Sequence, residues 1–125
     1  MKTVLLTDDN EDIIELIKLI LKDTGYQLAT AADGNQAVAY CLENDPDVVL
    51  MDLKMPNLDG IAAIKKLRAE GFTSPIIVLT ASDTAGDKKK ALAAGADEYI
   101  VKTMNMDGVD SALWRYLEAD DRTVL

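Results

Sequence analysis

Five residues of types that bind metal ions and phosphoryl groups stand at or directly after short apolar runs of the sequence. They are Asp8, Asp9, Asp52, Thr80 and Lys102. The run before Asp52, Val48-Val49-Leu50-Met51, is long enough for a buried strand and too short for a helix. Carboxylates that lie close together repel each other, and a hard cation with oxygen ligands, typically Mg²⁺, relieves that repulsion. The residue types therefore predict a magnesium site.

An aspartate beside Mg²⁺ can attack phosphorus and form an acyl phosphate, and we interpret Asp52 as that nucleophile. The ammonium of Lys102 would stabilise the charge that develops on the phosphoryl group, and the hydroxyl of Thr80 would donate to one of its oxygens. Such chemistry depends on positioning and electrostatics. The sequence contains no histidine, which excludes serine–histidine triads and the common zinc sites.

Each of these residues alone also has a purely structural explanation. Asp8-Asp9-Asn10 would cap the helix that follows it, Asp52 would cap a turn, and Lys102 would be a solvated surface lysine. The chemical hypothesis therefore depends on all five side chains meeting at one place. If the fold scatters them over the surface, the hypothesis is wrong.

The elements before these residues must bring their ends together. Apolar runs alternate with stretches of helical periodicity, which predicts five βα units and a parallel sheet. The predicted strands are Thr3–Thr7, Tyr26–Ala31, Val48–Met51, Ile76–Leu79 and Glu98–Val101. The predicted helices are Glu11–Asp23, Asp33–Asn44, Leu58–Ala69, Ala85–Ala94 and Asp107–Glu118.

The predicted fold class is α/β: a doubly wound, flavodoxin-like, five-stranded parallel sheet of order 2-1-3-4-5 with helices on both faces. In this order the first and third strands are neighbours, so Asp8, Asp9 and Asp52 would share one small space where the strand order reverses. The second strand has the weakest pattern and is expected at an edge. We expect one domain over residues 1–120 and a tail over residues 121–125.

Composition limits the class of protein. Of the 125 residues, 49% are hydrophobic, which suffices for a core and argues against disorder. The net charge of −9 argues against a nucleic-acid or anionic-membrane surface and indicates cationic partners. The apolar runs fall far short of the ~18 residues that span a bilayer, and no signal-peptide pattern is present. Cys41 is the single cysteine, which excludes an internal disulfide, and we expect a cytoplasmic location.

Over nearly its whole length the chain resembles the receiver domain of two-component response regulators. The motifs that match are Asp8-Asp9, Asp52 with Met55-Pro56 and Asp59-Gly60 behind it, Thr80-Ala81, and Lys102. The helical spacing between these motifs matches as well. The resemblance implies a signalling switch that catalyses only its own phosphorylation and dephosphorylation.

The resemblance also implies roles for individual residues. Asp52 would be the phosphoacceptor and would take its phosphoryl group from a phosphohistidine. Asp9 and Asp52 would bind Mg²⁺, or Mn²⁺ in its place, with the backbone carbonyl of Lys54 as the third protein ligand. Asp8 would act on the metal through water.

Switching in this family, by the same resemblance, would involve two further side-chain movements. Thr80 would move toward the phosphoryl group and Tyr99 would then turn inward, which would change the surface of the fourth helix, fifth strand and fifth helix. Ala81 is small and would leave room for the phosphodonor. The implied partners are a sensor histidine kinase or histidine phosphotransfer protein and a downstream effector or output domain. A second copy of the chain is a further candidate, whereas direct nucleic-acid and membrane contacts are not expected.

The pair Lys102-Thr103 departs from the family pattern, which has a proline after this lysine and a cis bond before it. A cis bond before a residue other than proline costs about 3–4 kcal/mol. We therefore predict a trans bond between Lys102 and Thr103 and a reshaped loop into the fifth helix.

Two other functions are compatible with some of these residues. A haloacid-dehalogenase-like phosphatase also uses an aspartate after a strand together with Mg²⁺, but it requires a second aspartate two residues later, where this chain has Lys54. A receiver-like scaffold that is never phosphorylated is the other alternative. The complete acidic, threonine and lysine set argues against a scaffold, and the missing proline argues for it.

Three surface features are candidates for partner contacts. Leu19 falls outside the apolar stripe of the first helix and is interpreted either as a kinase-docking residue or as a residue at the rim of the core. The run Lys88-Lys89-Lys90 is interpreted either as an output surface or as a solvated helix face. Trp114 lies outside the apolar stripe of the fifth helix, and full burial would end its candidacy.

Overall fold

Five short strands form the parallel sheet at the centre of the computed structural model, which describes residues 2–55 and 57–118. The strands are β1 Thr3–Thr7, β2 Gln27–Ala31, β3 Val48–Met51, β4 Ile76–Thr80 and β5 Glu98–Val101. Every neighbouring pair is parallel, and the order is β2-β1-β3-β4-β5. The predicted fold class and strand order are confirmed, and β2 lies at an edge. The predicted tail, residues 121–125, and the last two residues of the predicted domain lie outside the described residues.

Five helices connect the strands and cover both faces of the sheet. They are α1 Glu11–Leu21, α2 Gly34–Asn44, α3 Gly60–Ala69, α4 Ala85–Ala94 and α5 Val109–Leu117. Four of them begin after a residue whose side-chain oxygen accepts a hydrogen bond from a backbone N–H of the first turn. These capping residues are Asn10, Asp33, Asp59 and Thr84. Within the described ranges, none of the helices has the length and apolar character that a membrane span requires.

Alternate residues of the strands pack on opposite sides of the sheet, which separates the core into two clusters. Leu5 and Val49 face the side on which α2, α3 and α4 pack. Leu6 and Leu50 face the side on which α1 and α5 pack. Cys41 belongs to the first cluster, and burial raises the pKa of its thiol to about 12, so this cysteine is a core residue and not a reactive one.

Two predicted helix ends are wrong because the side chains and backbone around them make a cap. Helix α1 ends at Leu21 and not at the predicted Asp23, which has a left-handed φ of 67°. Helix α3 begins at Gly60 and not at Leu58, because the side chain of Asp59 accepts a hydrogen bond from the backbone N–H of Ala62 at 2.8 Å and so starts the helix there.

The loop between β5 and α5 is longer than predicted. Helix α5 begins at Val109, two residues later than expected, because Met106 and Gly108 both have left-handed backbone conformations. The peptide bond between Lys102 and Thr103 is trans, as predicted. The hydroxyl of Thr103 accepts a hydrogen bond from the backbone N–H of Asp107 at 2.9 Å and also contacts the Asp107 carboxylate, which a proline at this position would not do. The expected reshaping of this loop relative to the family stays a prediction.

Candidate functional site

Three of the predicted site residues are attached by their backbones to the neighbouring strand, one position beyond the end of their own strand. The N–H of Asp8 donates to Ala31 at 3.0 Å, that of Asp52 to Thr7 at 3.1 Å, and that of Lys102 to Thr80 at 2.8 Å. The parallel ladders therefore continue to these residues and leave their side chains at the carboxyl edge of the sheet. This is the edge at which open α/β sheets bind ligands.

The ammonium of Lys102 connects two carboxylates from different strands. Its Nζ lies 2.7 Å from Oδ2 of Asp8 and 3.4 Å from Oδ2 of Asp52. The Asp8 side chain is 2% exposed and that of Asp52 11%, so both charges are largely removed from water. Removal from water would be unfavourable for two unpaired carboxylates, and Lys102 compensates their charge in this structure.

Asp9 and Lys54 lie beside this pair and are both exposed to solvent. Among residues 2–55 and 57–118, no three acidic, histidine or cysteine side chains form a group that could hold a metal ion by themselves. Mg²⁺ commonly binds through one or two carboxylates and keeps several waters. The available donors, two neighbouring carboxylates at an open edge with an exposed aspartate beside them, are chemically suited to such a partly hydrated ion.

Thr80 and Tyr99 are connected through Ser82. The backbone N–H of Ser82 donates to Oγ1 of the buried Thr80 at 3.3 Å, and the Ser82 carbonyl accepts a hydrogen bond from the Tyr99 hydroxyl at 2.8 Å. The Ser82 hydroxyl also hydrogen-bonds to the carboxylate of Asp87 in α4. A movement of the segment after β4 would therefore change the hydrogen bonds of Ser82 with Tyr99 on β5 and with Asp87 in helix α4. Ser82 is a connection that the sequence reasoning missed.

Two pKa shifts accompany these contacts. Burial raises the pKa of the Tyr99 hydroxyl above its ordinary value, since the charged phenolate is disfavoured away from water, although the hydrogen bond with Ser82 acts in the opposite direction. The hydrogen bond with Ser82 is the largest influence on Asp87 and lowers the pKa of its carboxyl. Both groups therefore keep their ordinary charge near neutral pH.

The loop between β3 and α3 contains further residues that sequence reasoning did not assign to the site. At Gly60 a Cβ would lie only 2.2 Å from the carbonyl oxygen of Asp52, so the helix can start this close to the site only with glycine. Farther along the loop, Nδ2 of Asn57 donates to Oδ2 of Asp33 at 2.7 Å. The pair Asp33-Gly34 predicted only a helix start, and no pattern in the sequence indicates its contact with Asn57.

The three candidate contact residues on the surface are exposed. Leu19 is 67% exposed, which excludes the rim-of-core interpretation, and Trp114 is 45% exposed, so burial does not end its candidacy. The three lysines of the run Lys88-Lys89-Lys90 are all exposed on α4. These exposures are compatible with partner contacts, and the interpretation of the lysine run as an output surface or a solvated helix face stays a prediction.

The fold and the site together define a class of protein: a doubly wound α/β domain with a lysine-bridged aspartate pair at the carboxyl edge of its sheet. Residues 4–113 match the family model described as the response regulator receiver domain. The chain belongs to this family, the receiver domains of two-component response regulators.

Curated relatives and solved structures agree with this family. The chain is 40% identical over 101 residues to the alkaline phosphatase synthesis transcriptional regulatory protein PhoP of Bacillus subtilis, and the match covers 81% of the chain and 42% of that protein. The structure is similar to chemotaxis protein CheY4 of Vibrio cholerae, with 33% identity, a TM-score of 0.83, and coverage of 94% of this chain and 99% of that one. The chain thus spans less than half the length of the curated relative.

A second solved structure is similar and contains a metal ion. It is the receiver domain of sensor histidine kinase PA1611 from Pseudomonas aeruginosa, with 34% identity, a TM-score of 0.82, and coverage of 92% of this chain and 96% of that one. In that structure a magnesium ion is coordinated in the active-site cleft. The expectation of a receiver fold is confirmed by both structures.

Proposed function

We propose that Asp52 is the residue at which this receiver domain, extending over residues 1–120, is phosphorylated. The observation that supports this most directly is the contact of one ammonium, that of Lys102, with both Asp8 and Asp52. An oxygen of the Asp52 carboxylate attacks the phosphorus of a phosphohistidine, the phosphorus–nitrogen bond breaks, and the imidazole nitrogen of the donor keeps the electron pair.

Mg²⁺ is the proposed metal, with Mn²⁺ as a substitute of the same oxygen-binding class. Asp9, Asp52 and the backbone carbonyl of Lys54 would hold the ion, and Asp8 would act through water. The bound ion would neutralise charge on the phosphoryl oxygens. The magnesium described for the PA1611 receiver domain supports this choice.

The side chains of the chain itself then stabilise the phosphoryl group and report its presence. Lys102 exchanges its contact with the Asp52 carboxylate for one with a phosphoryl oxygen, and the Thr80 hydroxyl donates to another. When Thr80 moves, it changes the position of Ser82, which also holds the hydroxyl of Tyr99. We propose that Tyr99 turns inward as a result and alters the surface formed by α4, β5 and α5.

The partners follow from the proposed reaction. A sensor histidine kinase or a histidine phosphotransfer protein supplies the phosphoryl group in the cytoplasm, and an effector protein or output domain recognises the altered surface. A second copy of the chain is another candidate for this surface. Leu19 on α1 is the proposed apolar contact for the donor, since it is exposed on the helix that starts beside Asp9. Neither nucleic acid nor membrane is a proposed direct partner.

The test is phosphorylation by acetyl phosphate with Mg²⁺, followed by intact mass measurement. We expect a persistent gain of ~80 Da on the wild type and none on Asp52→Asn. Asp23→Asn is the matched control and should behave as the wild type, because Asp23 lies in the loop at the opposite edge of the sheet in a left-handed conformation that asparagine tolerates. Turnover of acetyl phosphate without a mass gain would indicate a phosphatase, and no reaction would indicate a scaffold.

A further inference from the structure

The β3–α3 loop, which the structure describes over residues 52–55 and 57–59, is held by two sets of contacts. Near the candidate phosphorylation site, the N–H of Gly60 donates to the carbonyl of Leu53 at 3.0 Å. At its far end, the loop contacts the start of helix α2 through two consecutive residues on each side. The N–H of Gly34 donates to the Leu58 carbonyl at 3.1 Å, and the Asn57 amide donates to Asp33 at 2.7 Å.

Asp33 is the acceptor of this far-end contact and is only 8% exposed. Its Oδ1 accepts a hydrogen bond from the N–H of Gln36 at 2.8 Å, and its Oδ2 accepts the one from Asn57. Each carboxylate oxygen therefore has a donor, and loss of the Asn57 amide would leave one oxygen of a nearly buried charge without it. A buried carboxylate without its donor is strongly unfavourable, so the contact holds Asn57 in place.

Two features leave the loop little freedom to move relative to α2. Asn57 has a left-handed φ of 67°, which asparagine and glycine tolerate better than most residues. At Gly34 a Cβ would lie 2.1 Å from the Leu58 carbonyl oxygen, so the two backbones approach as closely as glycine permits. Helix α2 thus acts as a fixed support for Asn57 and Leu58 in this loop.

We propose that Asp33 and Asn57 are a positioning pair that holds the β3–α3 loop in the conformation required for Mg²⁺ binding. This inference rests on the proposed function, in which the backbone carbonyl of Lys54 in the same loop is a metal ligand. Neither residue is among the proposed ligands of the metal or of the phosphoryl group. The pair acts by limiting where the loop backbone can lie before the ion binds. Hydrogen bonds behind the metal ligands orient the atoms that bind the metal.

The test compares the Mg²⁺ dissociation constant of three variants by titration calorimetry. Asn57→Gly removes the amide but accepts the left-handed backbone, and we expect the dissociation constant to rise about tenfold. Asn57→Asp alone places two carboxylates against each other, so its dissociation constant should rise at least as much. Asp33→Asn combined with Asn57→Asp exchanges amide and carboxylate and restores the hydrogen bond, so this variant should return to within about twofold of the wild type.

A control separates positioning from a general loss of stability. Thr24→Ala removes the hydroxyl that donates to Leu21 and accepts from the N–H of Tyr26, at the opposite edge of the sheet. This variant should unfold at lower urea concentration and yet bind Mg²⁺ as the wild type does. If Asn57→Gly loses stability while its Mg²⁺ dissociation constant stays within about twofold of the wild-type value, the positioning role is refuted.

The same experiments distinguish this inference from the proposed function. If the wild type binds Mg²⁺ and gains a phosphoryl group on Asp52 but Asn57→Gly binds Mg²⁺ equally well, only the positioning pair is wrong. If the wild type neither binds Mg²⁺ nor is phosphorylated, the proposed function is wrong and the inference falls with it. Backbone amide shifts of Lys54 and Leu58, measured by NMR without metal, should change in Asn57→Gly and return in the exchanged pair.

Discussion

Lys102 is the residue whose contacts decide most about the site. Its ammonium lies between Asp8 and Asp52, which are both nearly buried, and compensates their negative charge. An incoming divalent cation would take over part of this task and free the ammonium to contact a phosphoryl oxygen. In the proposed function, the lysine and the cation would therefore stabilise the same negative charge at different stages.

We predict that Lys102→Met, which keeps the apolar stem and removes the charge, lowers the free energy of unfolding by about 3 kcal/mol without metal, because two buried carboxylates lose their partner. Mg²⁺ should recover a large part of that loss, and phosphorylation by acetyl phosphate should be nearly abolished. Urea unfolding with and without Mg²⁺ measures the first two effects. Lys88→Met, at an exposed position of α4, is the control and should change neither. A loss that Mg²⁺ does not reduce would contradict the shared role.

Asp33 gives a prediction about pH. The hydrogen bond from the backbone N–H of Gln36, and then that from Asn57, hold the pKa of Asp33 below its ordinary value, so folding favours the ionised carboxylate. Its contribution to stability is present above that ordinary value, about pH 4, and is lost as the pH falls through the lower pKa of the folded protein. Wild type should therefore be more stable than Asp33→Asn at neutral pH, and this difference should shrink in acid. A difference in urea unfolding that stays constant down to about pH 3 would contradict this.

At the residue scale, the sequence predicted which side chains meet at the edge of the sheet better than it predicted the contacts that support them. Asp8, Asp52 and Lys102 stand next to apolar runs, and the ends of parallel strands necessarily meet at one edge. The partnership of Asp33 with Asn57 has no such signal, because it joins two loops that are distant in the chain and depends on a left-handed backbone at Asn57. Contacts of this kind follow from the assembled fold and not from local pattern.

At the scale of elements, the segment after β4 connects three parts of the molecule. Ser82 contacts Thr80 before it, Tyr99 on β5 and Asp87 in α4. The strands and helices themselves were predicted closely, because buried strands and amphipathic helices have distinct periodicities. The starts of α3 and α5 were wrong by two residues each, because a capping side chain at Asp59 and a left-handed Gly108 decide them.

The close approach of the backbones at the start of α3 can be tested by replacing two glycines with alanine, one at a time. Gly60→Ala would place a Cβ 2.2 Å from the carbonyl oxygen of Asp52, so we expect a loss of about 2–3 kcal/mol in the free energy of unfolding and weaker phosphorylation of Asp52. Gly86→Ala is the matched control, since a Cβ there meets no atom within 4 Å and Gly86 lies within helix α4. It should stabilise the protein by about 0.5–1 kcal/mol. Urea unfolding distinguishes the two, and equal stability would refute the close approach at Gly60.

At the scale of the whole molecule, the net charge is −9. At the site, the positive charge of Lys102 opposes it over a short range. The acidic surface attracts cations from a distance, whereas Lys102 repels them at close range. The sequence predicted this overall charge and the single-sheet architecture directly. How the ammonium and the carboxylates share the edge of the sheet follows only from the three-dimensional arrangement of β1, β3 and β5.

We predict that Mg²⁺ stabilises the folded chain by about 2.7 kcal/mol at one hundred times its dissociation constant. Because the attraction is partly long-range, that dissociation constant should rise about two- to fivefold between low and physiological ionic strength. Thermal unfolding over a series of Mg²⁺ and KCl concentrations measures both quantities. In Asp52→Asn the stabilisation by Mg²⁺ should fall sharply. An affinity for Mg²⁺ that is independent of KCl would show that the overall charge has no part in binding.

The hydrogen bond from the N–H of Lys102 to the carbonyl of Thr80 restricts where the chain can change length. Removal of one residue from β5 would turn the side chains beyond it to the opposite face, and the ammonium would leave its two carboxylates. The turn around Gly71, between α3 and β4, lies at the other rim of the sheet, and its left-handed φ of 88° requires that the glycine itself be kept. Peptide tags and natural insertions therefore belong at that rim, where an added residue leaves the spacing of the reactive groups unchanged.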